Sequence, residues 1–121
     1  MTASDLGPDG LVQLAVQAAN RGDLAEGEAL CRQALARQEH GDAHRVLGFI
    51  AVRRRRYEEA AFHCAQAAER QAGGWHNLLL LGIAHQALGR LASAREAFEQ
   101  AARLNPGHVE TALRQIGRAH V

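Results

Sequence analysis

The chain has 121 residues, which is enough for one modest domain. Alanine is abundant, aromatic residues make up only 4%, and the β-branched residues that sheets favour are scarce. The formal net charge of +1 provides no basic field that would attract nucleic acid or an acidic membrane surface. The composition therefore predicts an all-α protein and argues against nucleic-acid and membrane partners.

The sequence also indicates a cellular compartment. Residues 1–10 have neither the basic start nor the apolar run of a secretory signal. The longest apolar stretch, 78–84, is far shorter than the roughly 20 residues of a membrane span. Two cysteines without an export signal fit a reducing environment. We therefore expect a cytoplasmic protein.

In chain order, the pattern predicts helices over 9–20, 25–38, 42–54, 58–71, 75–88 and 92–104, and a final piece from residue 109. Each helix has about 13 residues, a length that is marginal in isolation. We divide the chain into a short tail at 1–7, a single domain at 8–108 and a partial capping helix at 109–121.

Three segments of the domain align with one another at a period of about 34 residues. Their equivalent stretches are Gly22–Gly27, Arg55–Ala60 and Gly89–Ala94. Small residues recur where two antiparallel helices must lie close together, as at Gly48 and Gly82. This period predicts helix–turn–helix repeats at 8–40, 41–74 and 75–108, which are stabilised by stacking on their neighbours.

Residues 75–108 resemble a tetratricopeptide repeat (TPR). The resemblance rests on Leu81–Gly82, the turn Gly89–Leu91, Ala94, Phe98, Ala101 and the closing Asn105–Pro106. Residues 41–74 resemble the same repeat, although Ala72 stands where the family prefers proline. Residues 8–40 are a weaker copy, in which Ala15 replaces glycine and Gly27 replaces alanine. The resemblance implies a right-handed superhelix of three repeats that ends in a partial capping helix.

The TPR resemblance further implies a protein-interaction scaffold that binds a peptide or partner protein in a concave groove. The family's groove positions correspond here to Val12, Val16, Asp42, Arg45, Phe49, Val52, Arg53, His76, Leu79, Ile83 and Gln86, with Asp9, Ala19, Asn20 and Ala87 at the remaining positions. The carboxylate clamp that grips chaperone tails is missing, because its positions hold Val12, Val16, Val46, His76 and Leu80. We expect no catalysis and no cofactor in these residues.

Three other groups of residues are interpreted as structural. Cys31 and Cys64 occupy the position of Phe98, which predicts small core residues, too far apart for a disulfide. His40 and His44 are separated by a repeat boundary, and no His, Cys and carboxylate cluster has ligand spacing, so we expect no metal site. The run 53–56 is all arginine and spans a helix end, where positive charge is favourable.

The C-terminus is unusual because residues 116–121 match the translation of a widely used sequencing adapter. We expect this segment to be artefactual and the chain to be the N-terminal fragment of a longer bacterial TPR protein. An alternative function is then an accessory TPR segment before a sulfotransferase, an aspartyl/asparaginyl hydroxylase or a glycosyltransferase domain. The downstream reading frame distinguishes the scaffold from the enzyme.

An incomplete capping helix has one further consequence. Leu91, Phe98 and Leu104 would form an apolar patch on the last repeat. The sequence therefore predicts concentration-dependent self-association through the C-terminal end of the array.

Overall fold

The computed structural model describes residues 6–119, which form seven α-helices and no β-strand. The helices are α1 (Pro8–Asn20), α2 (Leu24–Arg37), α3 (Gly41–Arg53), α4 (Tyr57–Glu69), α5 (Gly74–Ala87), α6 (Leu91–Leu104) and α7 (Pro106–Ala119). They pack as the pairs α1–α2, α3–α4 and α5–α6, with α7 against α6. Because α1 also contacts α3, and α3 contacts α5, the first helices of the three pairs form one continuous layer. The fold is the predicted all-α solenoid.

The first six helices lie within two residues of their predicted bounds. The start of the last helix at residue 109 was predicted wrongly, because α7 begins at Pro106. Proline is well suited to the first helical position, where it has no N–H to lose and its φ is already helical. Of the predicted tail 1–7 only residues 6 and 7 are described, and the carbonyl of Leu6 accepts a hydrogen bond from Arg37. Residues 120 and 121 of the predicted artefact also lie outside the described range.

The turn inside each pair contains one residue in the left-handed region. These residues are Gly22, Arg55 and Gly89, with φ of 85°, 59° and 78°. In each turn the next N–H donates to the carbonyl five residues earlier, at 2.8 Å. This is the Schellman pattern, which satisfies carbonyls at the end of a helix. Glycine adopts this conformation without cost, whereas Arg55 is strained there.

Helices within a pair approach so closely that glycine is required at the contact. A Cβ on Gly48 would lie 2.5 Å from Cys64 Sγ, and a Cβ on Gly82 would lie 2.5 Å from Phe98 Cε1. In the first pair the small residue is on the second helix, where a Cβ on Gly27 would lie 3.2 Å from the Ala15 carbonyl oxygen. The first pair therefore also has a glycine at its helix–helix contact, but the glycine lies on the second helix instead of the first.

The core consists mainly of alanine and medium-sized aliphatic side chains, in three clusters that follow the stacked pairs. The last cluster joins Leu79 and Ala101 to Val109 of α7, which is 1% exposed. The end of the array is thus covered by a helix that contributes its own core residue. Among residues 6–119, no helix is both long enough and apolar enough to cross a bilayer.

Candidate functional site

The layer of first helices contains two adjoining hollows, of about 570 and 160 Å³. The larger is lined by Asp9, Val12, Gln13, Val16, Gln17, His40, Asp42 and Arg45. The smaller is lined by Val16, Ala19, Asn20, Arg45, Val46, Phe49 and His76. Val16 and Arg45 line both hollows, so the two form one depression across α1, α3 and α5, which we call the first-helix groove.

The larger end of the first-helix groove carries two carboxylates whose positions are fixed by neighbouring side chains. His40 is the N-cap of α3, and its Nδ1 accepts from the backbone N–H of Ala43 at 3.3 Å. Its Nε2 therefore carries the proton, and it lies 2.6 Å from Asp9 Oδ1. Arg45 Nε donates to Asp42 Oδ1 at 3.2 Å. This end of the groove is polar and holds charges of both signs.

The smaller end of the first-helix groove is more apolar. Phe49 is half-buried, and the guanidinium of Arg53 lies 5.6 Å from its ring centroid, within range of a cation–π contact. Burial and the nearby charge of Arg45 lower the pKa of His76. The stem of Arg45 lies against Gly73, where a Cβ would come within 2.5 Å of Arg45 Cδ. Backbone contact therefore orients Arg45 at the junction of the two hollows.

The structure brings nine of the fifteen predicted groove residues together and leaves six outside the hollows. The nine are Asp9, Val12, Val16, Ala19, Asn20, Asp42, Arg45, Phe49 and His76. The residues outside the hollows are Val52, Arg53, Leu79, Ile83, Gln86 and Ala87. Leu79 is only 5% exposed and packs on Ala101 and Val109, so it has little surface to offer a ligand. Ile83 packs against the same cluster.

Sequence reasoning missed three residues that line the larger hollow. Gln13 and Gln17 each follow a predicted groove valine, so the helical neighbours of the predicted positions were a usable signal. His40 was considered only as a metal ligand and was rejected as one. Its position directly before α3 was the signal that it could cap that helix and reach α1.

The predicted apolar patch on the last repeat is only partly present. Leu91 and Leu104 are 68% and 61% exposed, as expected. Phe98 is half-buried over Gly82, so the expectation that it lies open was wrong. The cause is the close approach of α5 and α6, which places the ring against the glycine. Self-association through this end stays a prediction.

Cys31 and Cys64 are both fully buried and not in a disulfide, which confirms their assignment to the core. Burial raises the pKa of each thiol to about 12, so both are protonated at neutral pH. A protonated thiol is a poor nucleophile and a poor metal ligand. Among residues 6–119, no group of three or more His, Cys, Asp or Glu side chains is arranged to hold a metal ion.

The arginine run 53–56 is largely engaged within the molecule. Arg54 donates to Glu28 at 2.5 Å, and Arg56 lies 3.9 Å from the same carboxylate. Arg55 occupies the left-handed position of the turn between α3 and α4. These contacts match the structural interpretation of the run.

The tetratricopeptide repeat family model matches residues 75–108. The chain is similar to two crystal forms of MamA AMB-1, with 26% sequence identity to each. The match to the first has a TM-score of 0.76 and covers 97% of this chain and 68% of the MamA chain. The match to the second has a TM-score of 0.77 and covers 98% of this chain and 74% of the MamA chain.

The C-terminal TPR-containing domain of a Plasmodium falciparum FK506-binding protein has a TM-score of 0.70 at 17% identity, with coverage of 98% and 99%. At that identity the likeness concerns the fold alone. No curated protein matches the sequence.

Proposed function

Because the chain belongs to the tetratricopeptide-repeat family, we propose that it is a protein-interaction scaffold whose first-helix groove binds a peptide or a segment of a partner protein. The observation that carries this proposal is the continuity of the two hollows at Val16 and Arg45. A continuous depression across three helices suits an elongated ligand better than a compact small molecule.

The side chains of the groove indicate what such a ligand offers. Val16 and Phe49 form an apolar surface that favours an aliphatic or aromatic anchor on the ligand. Asp42 and Arg45 are exposed enough to exchange their mutual ion pair for polar groups of a ligand backbone or side chain. The helices are held by their stacking, so little ordering cost falls on the protein side when a flexible segment binds.

To test the proposal, short peptides that bind the immobilised protein are first selected from a display library. The affinity of a selected peptide is then measured by calorimetry for two variants that each remove one partly exposed phenyl ring. Phe49→Ser should weaken binding at least tenfold, because the ring lines the groove. Phe62→Ser is the matched control, because Phe62 is 56% exposed on α4 and lies outside the groove.

Circular dichroism of both variants checks that they retain their helices. Equal affinity of the wild type and Phe49→Ser would show that the selected peptides bind elsewhere, and the assignment of the groove would be abandoned.

A further inference from the structure

Two histidines are buried against each other between α3 and α4. His44 is 4% exposed, His63 is 8% exposed, and their ring centroids are 5.2 Å apart. Their Nδ1 atoms are separated by 3.0 Å, which is a hydrogen-bond distance. One Nδ1 therefore carries a proton and the other accepts it, so the pair shares a single proton at this contact.

The outer nitrogen of His44 faces a carboxylate. His44 Nε2 lies 3.0 Å from Glu39 Oε2, and the same oxygen lies 2.8 Å from the guanidinium of Arg70. The hydrogen bond from His44 is the main cause that lowers the pKa of Glu39, so this carboxylate is charged and Nε2 is the donor. With Nε2 protonated, any proton added at Nδ1 makes His44 a cation.

The surroundings of His63 carry charges of both signs. These charged groups come from α2, from the turn between α3 and α4, and from α4 itself. They are Glu28, Arg32, Arg54, Arg56 and Glu59. The ring of Phe62 lies edge-on to both histidines, at centroid distances of 6.3 Å from His44 and 5.1 Å from His63. His63 has no acidic side chain within ion-pair distance among residues 6–119, in contrast to His44.

The fold does not require histidine at these two positions. The equivalent pair in the first repeat is Leu11 and Leu30, and in the third it is Leu78 and Ala97. Leu11 and Leu30 are 0% and 6% exposed, so the same site accepts an apolar pair. Only the second repeat among the three places a titratable pair inside the interface of its two helices.

We propose that the His44–His63 pair is an acid-responsive switch, which holds α3 against α4 at neutral pH and weakens that interface under mild acidity. The pair tolerates one shared proton at the Nδ1 contact. A proton on His63 places a cation in this buried site, and a second proton at the contact sets two N–H groups against each other at 3.0 Å. The hydrogen bond is then lost, and the two helices separate locally. This inference does not depend on what the groove binds.

The direction of the effect follows from proton uptake. Burial, followed by the charges of His44 and Arg32, lowers the pKa of His63 from 6.5 to about 4. In the unfolded chain the pKa of His63 has its ordinary value. The unfolded chain therefore binds a proton between pH 6.5 and 4 that the folded protein does not bind. The contribution of His63 to stability is complete above pH 6.5 and is lost as the pH falls through that range.

The variant H44L/H63L tests the proposal, because it installs the leucine pair that the first repeat already buries. Equilibrium unfolding by urea is measured at pH 7 and pH 5 for the wild type and the variant. Between these pH values the folding constant of the wild type should fall about twentyfold more than that of the variant, a difference set by the pKa of His63. Any shared contribution of His76 and His85 cancels in this difference.

His108→Leu is the control, because it removes an exposed histidine from α7 and should keep the pH dependence of the wild type. If the wild type and H44L/H63L lose stability in parallel, the switch is wrong.

A second measurement uses the wild-type protein alone. Nitrogen-15 spectra of the imidazoles at pH 6 should show a neutral His63 and a strongly deshielded proton at the Nδ1 contact. Acidification from pH 6 to pH 4 should broaden or shift backbone signals of α3 and α4 before those of α1 and α2. Two fully protonated histidines with unchanged helix signals would overturn the proposal.

Discussion

The second and third helix pairs place glycine at the same position and fill the space opposite it with different side chains. Gly48 faces the thiol of Cys64, and Gly82 faces the ring of Phe98. Cys64 is fully buried, because further helices cover its pair on both sides, whereas Phe98 is half-buried near the end of the array. The repeat thus fixes where the helices touch, and the neighbouring helices decide how far the opposing side chain is covered.

The largest effect is expected from removing the ring. Phe98→Ala should lower the free energy of unfolding by about 3 kcal/mol, because the cavity lies between α5 and α6 in the last cluster. The matched variant Cys64→Ala should cost only about 1 kcal/mol, since a single sulfur atom is lost. Urea unfolding of both measures the difference. Equal losses of unfolding free energy would mean that Phe98 contributes no more to stability than Cys64, which holds the equivalent position in the second pair. The comparison between the two pairs would then fail.

A smaller effect is expected from adding a methyl group to the two glycines. Gly48→Ala should cost about 2 kcal/mol, because Cys64 Sγ would lie 2.5 Å away and its backbone nitrogen 3.3 Å away, and the backbone cannot easily move. Gly82→Ala should cost about 1 kcal/mol, since the half-buried ring of Phe98 can rotate away from the new methyl group.

The double variant sharpens this prediction. In the Phe98→Ala background, Gly82→Ala should cost almost nothing, because the side chain in its way is gone. Additive losses in thermal unfolding would show that the glycine is needed for another reason. Gly107→Ala is the control, because a Cβ at that position would meet no side chain of the described residues within 4 Å.

The smallest effect concerns the turns. Arg55→Gly should raise the free energy of unfolding by somewhat less than 1 kcal/mol, because it relieves a left-handed residue at φ of 59° but adds entropy to the unfolded chain. Gly89→Ala at the equivalent turn should lower it by about 1 kcal/mol. A change of the same sign in both variants would show that the two turns are not equivalent.

Much of the fold could be predicted from the sequence. The period and the small residues gave six helix positions and the contacts at Gly48 and Gly82. The start of α7 at Pro106 was missed, because the last helix was predicted to begin at residue 109 although proline is favourable at a helix start. Most residues that line the groove were predicted, because the TPR resemblance assigns groove positions on each first helix.

The remainder of the site depends on contacts between distant segments. Leu79 has the same repeat position as Arg45, and only the packing of α7 removes it from the surface. His40 reaches Asp9 across 31 residues, and His44 reaches His63 across 19. No local sequence pattern predicts contacts between residues so far apart in the chain.

By itself, the sequence determined the helices, their pairing and the turns, because these follow from periodicity and backbone preferences within about 34 residues. Only the tertiary structure decided which side chains are covered and which titratable groups meet. Burial and hydrogen bonding depend on the neighbours that pairing and stacking bring together, and these neighbours lie 19 residues away for His44 and 31 residues away for His40.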